Sequence, residues 1–289
     1  MICNIKLAGS KPRVTEFRYP LFYVKIIKYY MEKNIKIKLS KKFSLYGKFS
    51  GSFNQPLFII VHGLLGNMDE EFYHSATRWF GKHGFATFRF NLYGHQKDAR
   101  QLMNCSLKTH SADLDIIVRY FRKQGVKKVF VAGHSFGGLT IFCSRDQDFD
   151  GAVLWDPSCK ISFTKATNGF PNGKYVKAIN GYLMKWGINI VIGKAMAKEM
   201  DSFPWDSITK NFKTPFRIII AGEGALKNAK KYLNNTKVEK DLLIIKGATH
   251  YFNDQEKMRE KLFKASENWF RKFMNPPLLN SLYPETTNL

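Results

Sequence analysis

Between residues 35 and 273, short apolar runs alternate with segments of helical period, and nothing else in the chain restricts its fold as tightly. Ile35, Ile37 and Leu39 alternate with Lys, the period of a half-exposed strand, and residues 43–49 read as its hairpin partner. Residues 57–61 are uninterrupted apolar, the pattern of a strand covered on both faces. Further strands are expected at 85–90, 128–132, 151–155, 216–221 and 242–245. The first helix is expected to open near Asn67, where Asn67 and Glu70 have the spacing of a capping box, with Phe72, Ala76, Trp79 and Phe80 facing inward. Other helices are expected over 112–123, from the turn after residue 132 to about Ser144, over 226–233 and over 255–273; Pro276-Pro277 ends the last. Strands alternating with helices imply an α/β fold: a mostly parallel central sheet with helices on both faces.

The rhythm stops between residues 157 and 213, a stretch rich in Gly, Lys and aromatics with no evident strand. It is too long for a plain loop and reads as a cap inserted into the domain. The chain then divides into an N-terminal extension (1–33), a main domain (34–275) carrying the cap, and a tail (276–289) expected to be poorly ordered. In the extension, Phe22, Tyr23, Ile26, Ile27 and Tyr30 share one helical face and Lys25, Lys28 and Glu32 another. Such a helix suits packing on the domain or lying on a membrane surface. Met31 is an alternative start.

The hydrophobic share, 44%, excludes a disordered chain. The formal charge of +23 invites a polyanionic partner, but it comes from 35 Lys and only 11 Arg, spread along the chain. Recognition of bases and phosphates favours the Arg fork, so nucleic acid is not the expected partner. Cys3, Cys105, Cys143 and Cys159 have neither metal-ligand spacing nor the density of a disulfide scaffold, which fits a reducing compartment. No apolar run approaches the roughly 20 residues that span a bilayer, and no signal-peptide pattern is present. The expectation is a cytoplasmic protein with no metal and no cofactor; the oligomeric state is not legible.

Gly133-His134-Ser135-Phe136-Gly137 fits G-x-S-x-G. It follows a strand and opens a helix, the placement that thrusts a serine hydroxyl out above the sheet. A hydroxyl needs a base to take its proton, and His250, five residues past the strand at 242–245, is the candidate. His62 reads as structural, and His134 as pointing away from Ser135. An oxyanion needs N–H donors: the backbone of Phe136 supplies one, and that of Leu64, in the loop after residue 61, the second.

On these residues the chain resembles the α/β-hydrolase superfamily, and within it the capped serine esterases and lipases of the monoacylglycerol-lipase and feruloyl-esterase kind. The resemblance covers about residues 35–273. It rests on His62-Gly63-Leu64-Leu65-Gly66-Asn67, on Gly-His-Ser-Phe-Gly-Gly at 133–138 and on Gly-Ala-Thr-His at 247–250. It implies an α/β-hydrolase fold with an inserted cap, and cleavage of carboxylic esters through an acyl-enzyme on Ser135. Thioesterase, acyltransferase and serine peptidase chemistry share that intermediate.

One position departs from the superfamily's pattern. Its acid usually lies three residues after a Gly that here is Gly222, which gives Ala225, in a loop that is also short. Two carboxylates compete for the role: Asp156, directly after the strand at 151–155, and Glu223, in the short loop itself. Both keep the chain order Ser, acid, His. A Ser–His dyad is the third reading, and a non-catalytic binding protein is the reading that Ala225 favours. Aromatics and Met in the cap, among them Phe163, Tyr175, Trp186 and Met196, suggest apolar or aromatic acyl groups, although many of them would build the cap's own core. The resemblance thus implies a small-molecule ester or lipid substrate. The Lys excess of extension and cap suits peripheral contact with an anionic membrane, or a solvated surface.

Overall fold

A computed structural model describes residues 32–159, 161–166, 172–253 and 256–274. The extension's amphipathic helix, the alternative start at Met31 and the C-terminal tail lie outside the described residues.

The elements follow in chain order. Lys33–Lys38 (β1) and Ser44–Ser50 (β2) form an antiparallel hairpin. Leu57–Val61 (β3), Glu71–Lys82 (α1), Ala86–Phe90 (β4), Leu107–Lys123 (α2), Val129–His134 (β5), Phe136–Phe142 (α3) and Gly151–Trp155 (β6) come next. The cap contributes Lys174–Val176 (β7), Gly181–Trp186 (β8), Ile188–Gly193 (β9), Lys194–Asp201 (α4) and Trp205–Asn211 (α5). Phe216–Ala221 (β10), Leu226–Leu233 (α6), Lys240–Ile245 (β11) and Glu256–Arg271 (α7) complete the domain.

Eight strands make one sheet in the order β1-β2-β4-β3-β5-β6-β10-β11. Every pairing from β4 to β11 is parallel, and β2 alone runs against the rest, pairing antiparallel with both β1 and β4. Alternate side chains of a strand leave opposite faces, so both faces need cover. Leu57, Ile59 and Val61 join Leu114, Ile117, Phe121, Leu139 and Tyr232 from α2, α3 and α6 on one face. Phe58 and Ile60 join Phe72, Phe80, Leu262, Trp269 and Phe270 from α1 and α7 on the other. The parallel sheet is the one the alternation implies, and the fold is that of an α/β-hydrolase, as the resemblance implies.

Three expectations need correction. The first helix begins at Glu71, not near Asn67: Glu70 Oε1 accepts the Asn67 N–H (3.0 Å) and Asn67 Oδ1 accepts the Asp69 N–H (2.8 Å), so the pair builds the turn before the helix. The helix expected from residue 112 begins at Leu107, because Ser106 and Thr109 cap it reciprocally, and this places His110 on the helix. The cap does contain strands. β7, β8 and β9 form a small antiparallel sheet of their own, with turns at Asn180 (φ 47°) and Gly187 (φ 71°). These strands are only three to six residues long; Ile188, Ile190 and Ile192 do alternate in β9, but Val191 breaks the polar set and the burial does not follow the alternation.

Two contacts seat the cap on the domain. A Cβ on Gly193, at the end of β9, would lie 1.9 Å from the Met103 carbonyl oxygen, so only glycine permits that approach. The Glu199 carboxylate on α4 accepts the N–H groups of Leu107 (2.6 Å) and Lys108 (3.0 Å), capping α2 from across the interface.

Candidate active site

Ser135 sits between β5 and α3 with φ 54° and ψ −116°, a strained conformation for a residue with a side chain. Neighbouring backbone holds it there. Gly137 makes the turn fit: a Cβ at that position would lie 2.2 Å from the Val61 carbonyl oxygen. The Ser135 N–H donates to the Trp155 carbonyl (2.9 Å), and the Ser158 N–H donates to the Ser135 carbonyl (3.1 Å). The segment after β6 therefore clamps the elbow on both sides of its serine. The Ser135 hydroxyl is 3.0 Å from Ser158 Oγ, and no hydrogen bond joins it to His250 among the described residues.

Asp156 follows β6 directly, with φ 43°. Its N–H donates to the Ile219 carbonyl (2.7 Å), and its Oδ1 accepts the Ala221 N–H (3.2 Å), so β10 fixes both backbone and side chain. Oδ2 is left facing His250 Nδ1 at 2.5 Å. A carboxylate can only accept, so Nδ1 carries the proton and Nε2 of the neutral ring is free to take one. Glu223 is not brought to His250: its side chain is 70% exposed and pairs with Lys246 at 3.4 Å.

A buried chain of hydrogen bonds ties the His250 loop to the elbow and to the loop after β3. His134 Nε2 donates to the His250 carbonyl (2.8 Å), so His134 Nδ1 is an acceptor and faces the Tyr73 hydroxyl (3.3 Å). That hydroxyl in turn accepts the Gly63 N–H (3.1 Å). His134 and Tyr73 are both buried. Burial holds His134 neutral, at a pKa of about 3. His62 is also kept neutral by burial, at about 4. Its Nδ1 donates to the Gly63 carbonyl (2.7 Å) and its Nε2 accepts the Leu92 N–H (3.0 Å). Each histidine stands as the sequence suggests, one structural and one turned from Ser135, but the link through Tyr73 to His250 is not visible in the sequence.

The loop after β3 turns tightly from Gly63 to Gly66, closed by the Gly66 N–H on the Gly63 carbonyl (3.1 Å), with Leu65 at φ 67°. A Cβ on Gly63 would lie 3.3 Å from Ser135 Cβ, which measures how near this backbone comes to the serine. Among the described residues, neither the Leu64 nor the Phe136 N–H has an acceptor. Two free donors thus flank the elbow, an arrangement able to hold an oxyanion. Ser158, against Ser135, and Tyr73, in the hydrogen-bond chain to the His250 loop, are the residues that sequence reasoning missed; only Ser158 carried a signal, its place two residues after Asp156. Among the described residues no group of three or more His, Cys, Asp or Glu side chains could hold a metal ion.

A family model described as "Serine aminopeptidase, S33" matches residues 54–268. The chain belongs to this family of α/β-hydrolases. Solved structures show the same fold at low identity. Est1E from Butyrivibrio proteoclasticus with bound ferulic acid is 18% identical, with a TM-score of 0.68 over 83% of this chain and 98% of that one. The monoacylglycerol lipase of Paleococcus ferrophilus is 19% identical, with a TM-score of 0.59 over 79% and 99%. The mouse alpha/beta hydrolase domain-containing protein 10 is 14% identical, with a TM-score of 0.65 over 83% and 99%. No curated protein sequence matches the hydrolase.

Within the cap of this hydrolase, Phe163, Met184, Met196 and Met200 are buried in the core cluster that also holds β3, α2 and α3 residues, not in a separate core of the cap, while Tyr175 and Trp186 are 41% exposed. No helix among the described residues is long and apolar enough to cross a membrane.

Proposed function

We propose that the hydrolase cleaves carboxylic esters of apolar or aromatic acyl groups through an acyl-enzyme on Ser135. The observation that carries this reading is the 2.5 Å approach of Asp156 Oδ2 to His250 Nδ1, beside a serine on a strained elbow. His250 Nε2 takes the Ser135 proton, and Ser135 Oγ bonds to the ester carbonyl carbon. The carbonyl electron pair moves to its oxygen, which the N–H groups of Leu64 and Phe136 receive. His250 then returns the proton to the leaving alcohol, and water repeats the sequence to release the acid. Asp156 keeps the imidazole in the required tautomer and stabilises the imidazolium. The choice of acyl group draws on Est1E, whose structure holds ferulic acid, and on the monoacylglycerol lipase.

Labelling with a fluorophosphonate probe tests the reading. Wild type is expected to label, and Ser135→Ala and His250→Ala are expected not to. A wild type that stays unlabelled sinks the proposal. A series of nitrophenyl esters of increasing chain length then bounds the acyl pocket.

The family description favours a second reading, an aminopeptidase. That activity needs a carboxylate to hold the substrate's α-ammonium. Among the described residues, the Asp156 carboxylate is engaged with His250 and Ala221, and that of Glu70 with the Asn67 N–H. Turnover of aminoacyl nitroanilides faster than of nitrophenyl esters would reverse the preference.

A further inference from the structure

We propose that Ser158 is a catalytic residue whose hydroxyl donates a hydrogen bond to Ser135 Oγ while that oxygen is unprotonated. The inference rests on Ser135 being the nucleophile. It adds a residue that belongs neither to the Ser–His–Asp set nor to the oxyanion donors.

Ser158 Oγ is 3.0 Å from Ser135 Oγ, and the backbone that carries it is fixed on every side. Its N–H donates to the Ser135 carbonyl at 3.1 Å, and its carbonyl accepts the hydroxyl of Tyr232, a fully buried side chain. Pro157 fixes the backbone just before it. The hydroxyl is thus held against the reacting atom by contacts that do not involve substrate.

In the resting enzyme either hydroxyl can donate to the other. Attack removes the ambiguity. The Ser135 proton passes to His250 Nε2, the bond from Ser135 Oγ to the carbonyl carbon forms, and the carbonyl pair moves to the oxyanion. Ser135 Oγ can then only accept, and Ser158, which keeps its own proton, is the donor in place. The same holds at the end of deacylation, when the bond between Ser135 Oγ and the acyl carbon breaks and the oxygen leaves with its electron pair before His250 returns the proton. Ser135 Oγ carries developing negative charge as its proton leaves ahead of the completed bond, and again as the acyl bond breaks, and hydrogen bonds to charged oxygens are about twice as strong as neutral ones. Losing one here is therefore expected to slow both half-reactions by about ten- to a hundredfold.

The test compares Ser158→Thr with Ser158→Val, side chains of one shape with and without the hydroxyl. Each is assayed for kcat/KM on a nitrophenyl ester, for the second-order rate of fluorophosphonate labelling, and for Tm. Val is expected to slow both rates by about ten- to a hundredfold at unchanged Tm, while Thr stays within about threefold of wild type. Ser158→Ala, which only removes atoms, is expected to behave as Val does and stands in if Val is not tolerated. Wild-type rates in the hydroxyl-free variants, or a Thr variant as slow as Val, would overturn the inference. The two readings fail separately. Labelling that survives Ser135→Ala removes the nucleophile itself, whereas a dead Ser135→Ala beside a fully active Ser158→Val removes only Ser158.

Discussion

The carboxylate of Asp156 and the imidazole of His250, 94 residues apart in the chain, meet at 2.5 Å because β10 holds Asp156 from the other side through the Ala221 N–H. Asp156→Asn keeps that N–H contact but offers His250 an amide, which can hold the wrong tautomer. The expected result is a fall in kcat of about 10³- to 10⁴-fold with KM little changed. Glu223→Gln is expected to leave kcat within about twofold, since Glu223 pairs with Lys246 at an exposed position. Steady-state kinetics on a nitrophenyl ester separates the two, and equal losses would contradict the assignment.

Gly63 and Gly137 are expected to respond differently to alanine. At Gly137 the new methyl would lie 2.2 Å from a backbone carbonyl that cannot move aside, so overpacking by about 1–3 kcal/mol or more is expected in urea denaturation. At Gly63 the nearest atom is Ser135 Cβ at 3.3 Å, a contact that a shift of a few tenths of an ångström relieves. Gly63→Ala should fold with near-normal stability and lose about tenfold or more in kcat, as the Leu64 donor is displaced.

Acid should weaken the fold through its buried histidines. Burial lowers His62 to about 4, and His110 and His134 to about 3, from 6.5. Below about pH 6.5 the unfolded chain binds protons that the folded one refuses, so this contribution is complete above pH 6.5 and is lost as pH falls toward 4. Each histidine contributes up to about 1.4 kcal/mol per pH unit in that window. His110 gives the cleanest test, because neither of its ring nitrogens has a hydrogen-bond partner among the described residues. His110→Leu is expected to keep stability at pH 7 and to flatten the slope between pH 4 and 6 by about that amount. Urea denaturation at several pH values measures it, and an unchanged slope would refute the prediction.

Glu199 offers a handle on the cap. Glu199→Ala uncaps α2 and removes two charge-assisted bonds at 2.6 and 3.0 Å, with an expected cost of about 1–2 kcal/mol. Hydrogen exchange at the Leu107 and Lys108 amides should speed up, while amides of the β3 and β5 core strands stay protected.

What was legible in the sequence was local. The apolar run at β3, the glycine-flanked Ser135 and the His250 turn each carry their meaning within a few residues, and the parallel sheet follows from their alternation. The choice between Asp156 and Glu223 was not local. β6 and β10 are neighbours in the sheet, with Trp155 opposite Ile219, so both loops leave the same edge and spacing cannot rank them. What separates the two is long-range: Asp156 meets His250 and the Ala221 N–H, whereas Glu223 pairs with Lys246. Tyr73 had no signal, and Ser158 only its place two residues after Asp156, for a related reason: their partners lie 61 and 23 residues away, across packed elements. The cap's strands are hard to read because they are only three to six residues long, and the one alternation present, Ile188, Ile190 and Ile192, is too brief to stand out in a Gly- and Lys-rich stretch.

The grip of Trp155 and Ser158 on the two backbone ends of Ser135 ties Ser135 and Asp156 into one body. A shift of the cap would leave the spacing between these two residues unchanged, since neither backbone bond involves a cap strand or helix. The same arrangement frees the loop at 222–226 from any duty toward His250. That loop can lengthen, shorten or take on a binding task of its own while the chemistry stays anchored one strand away.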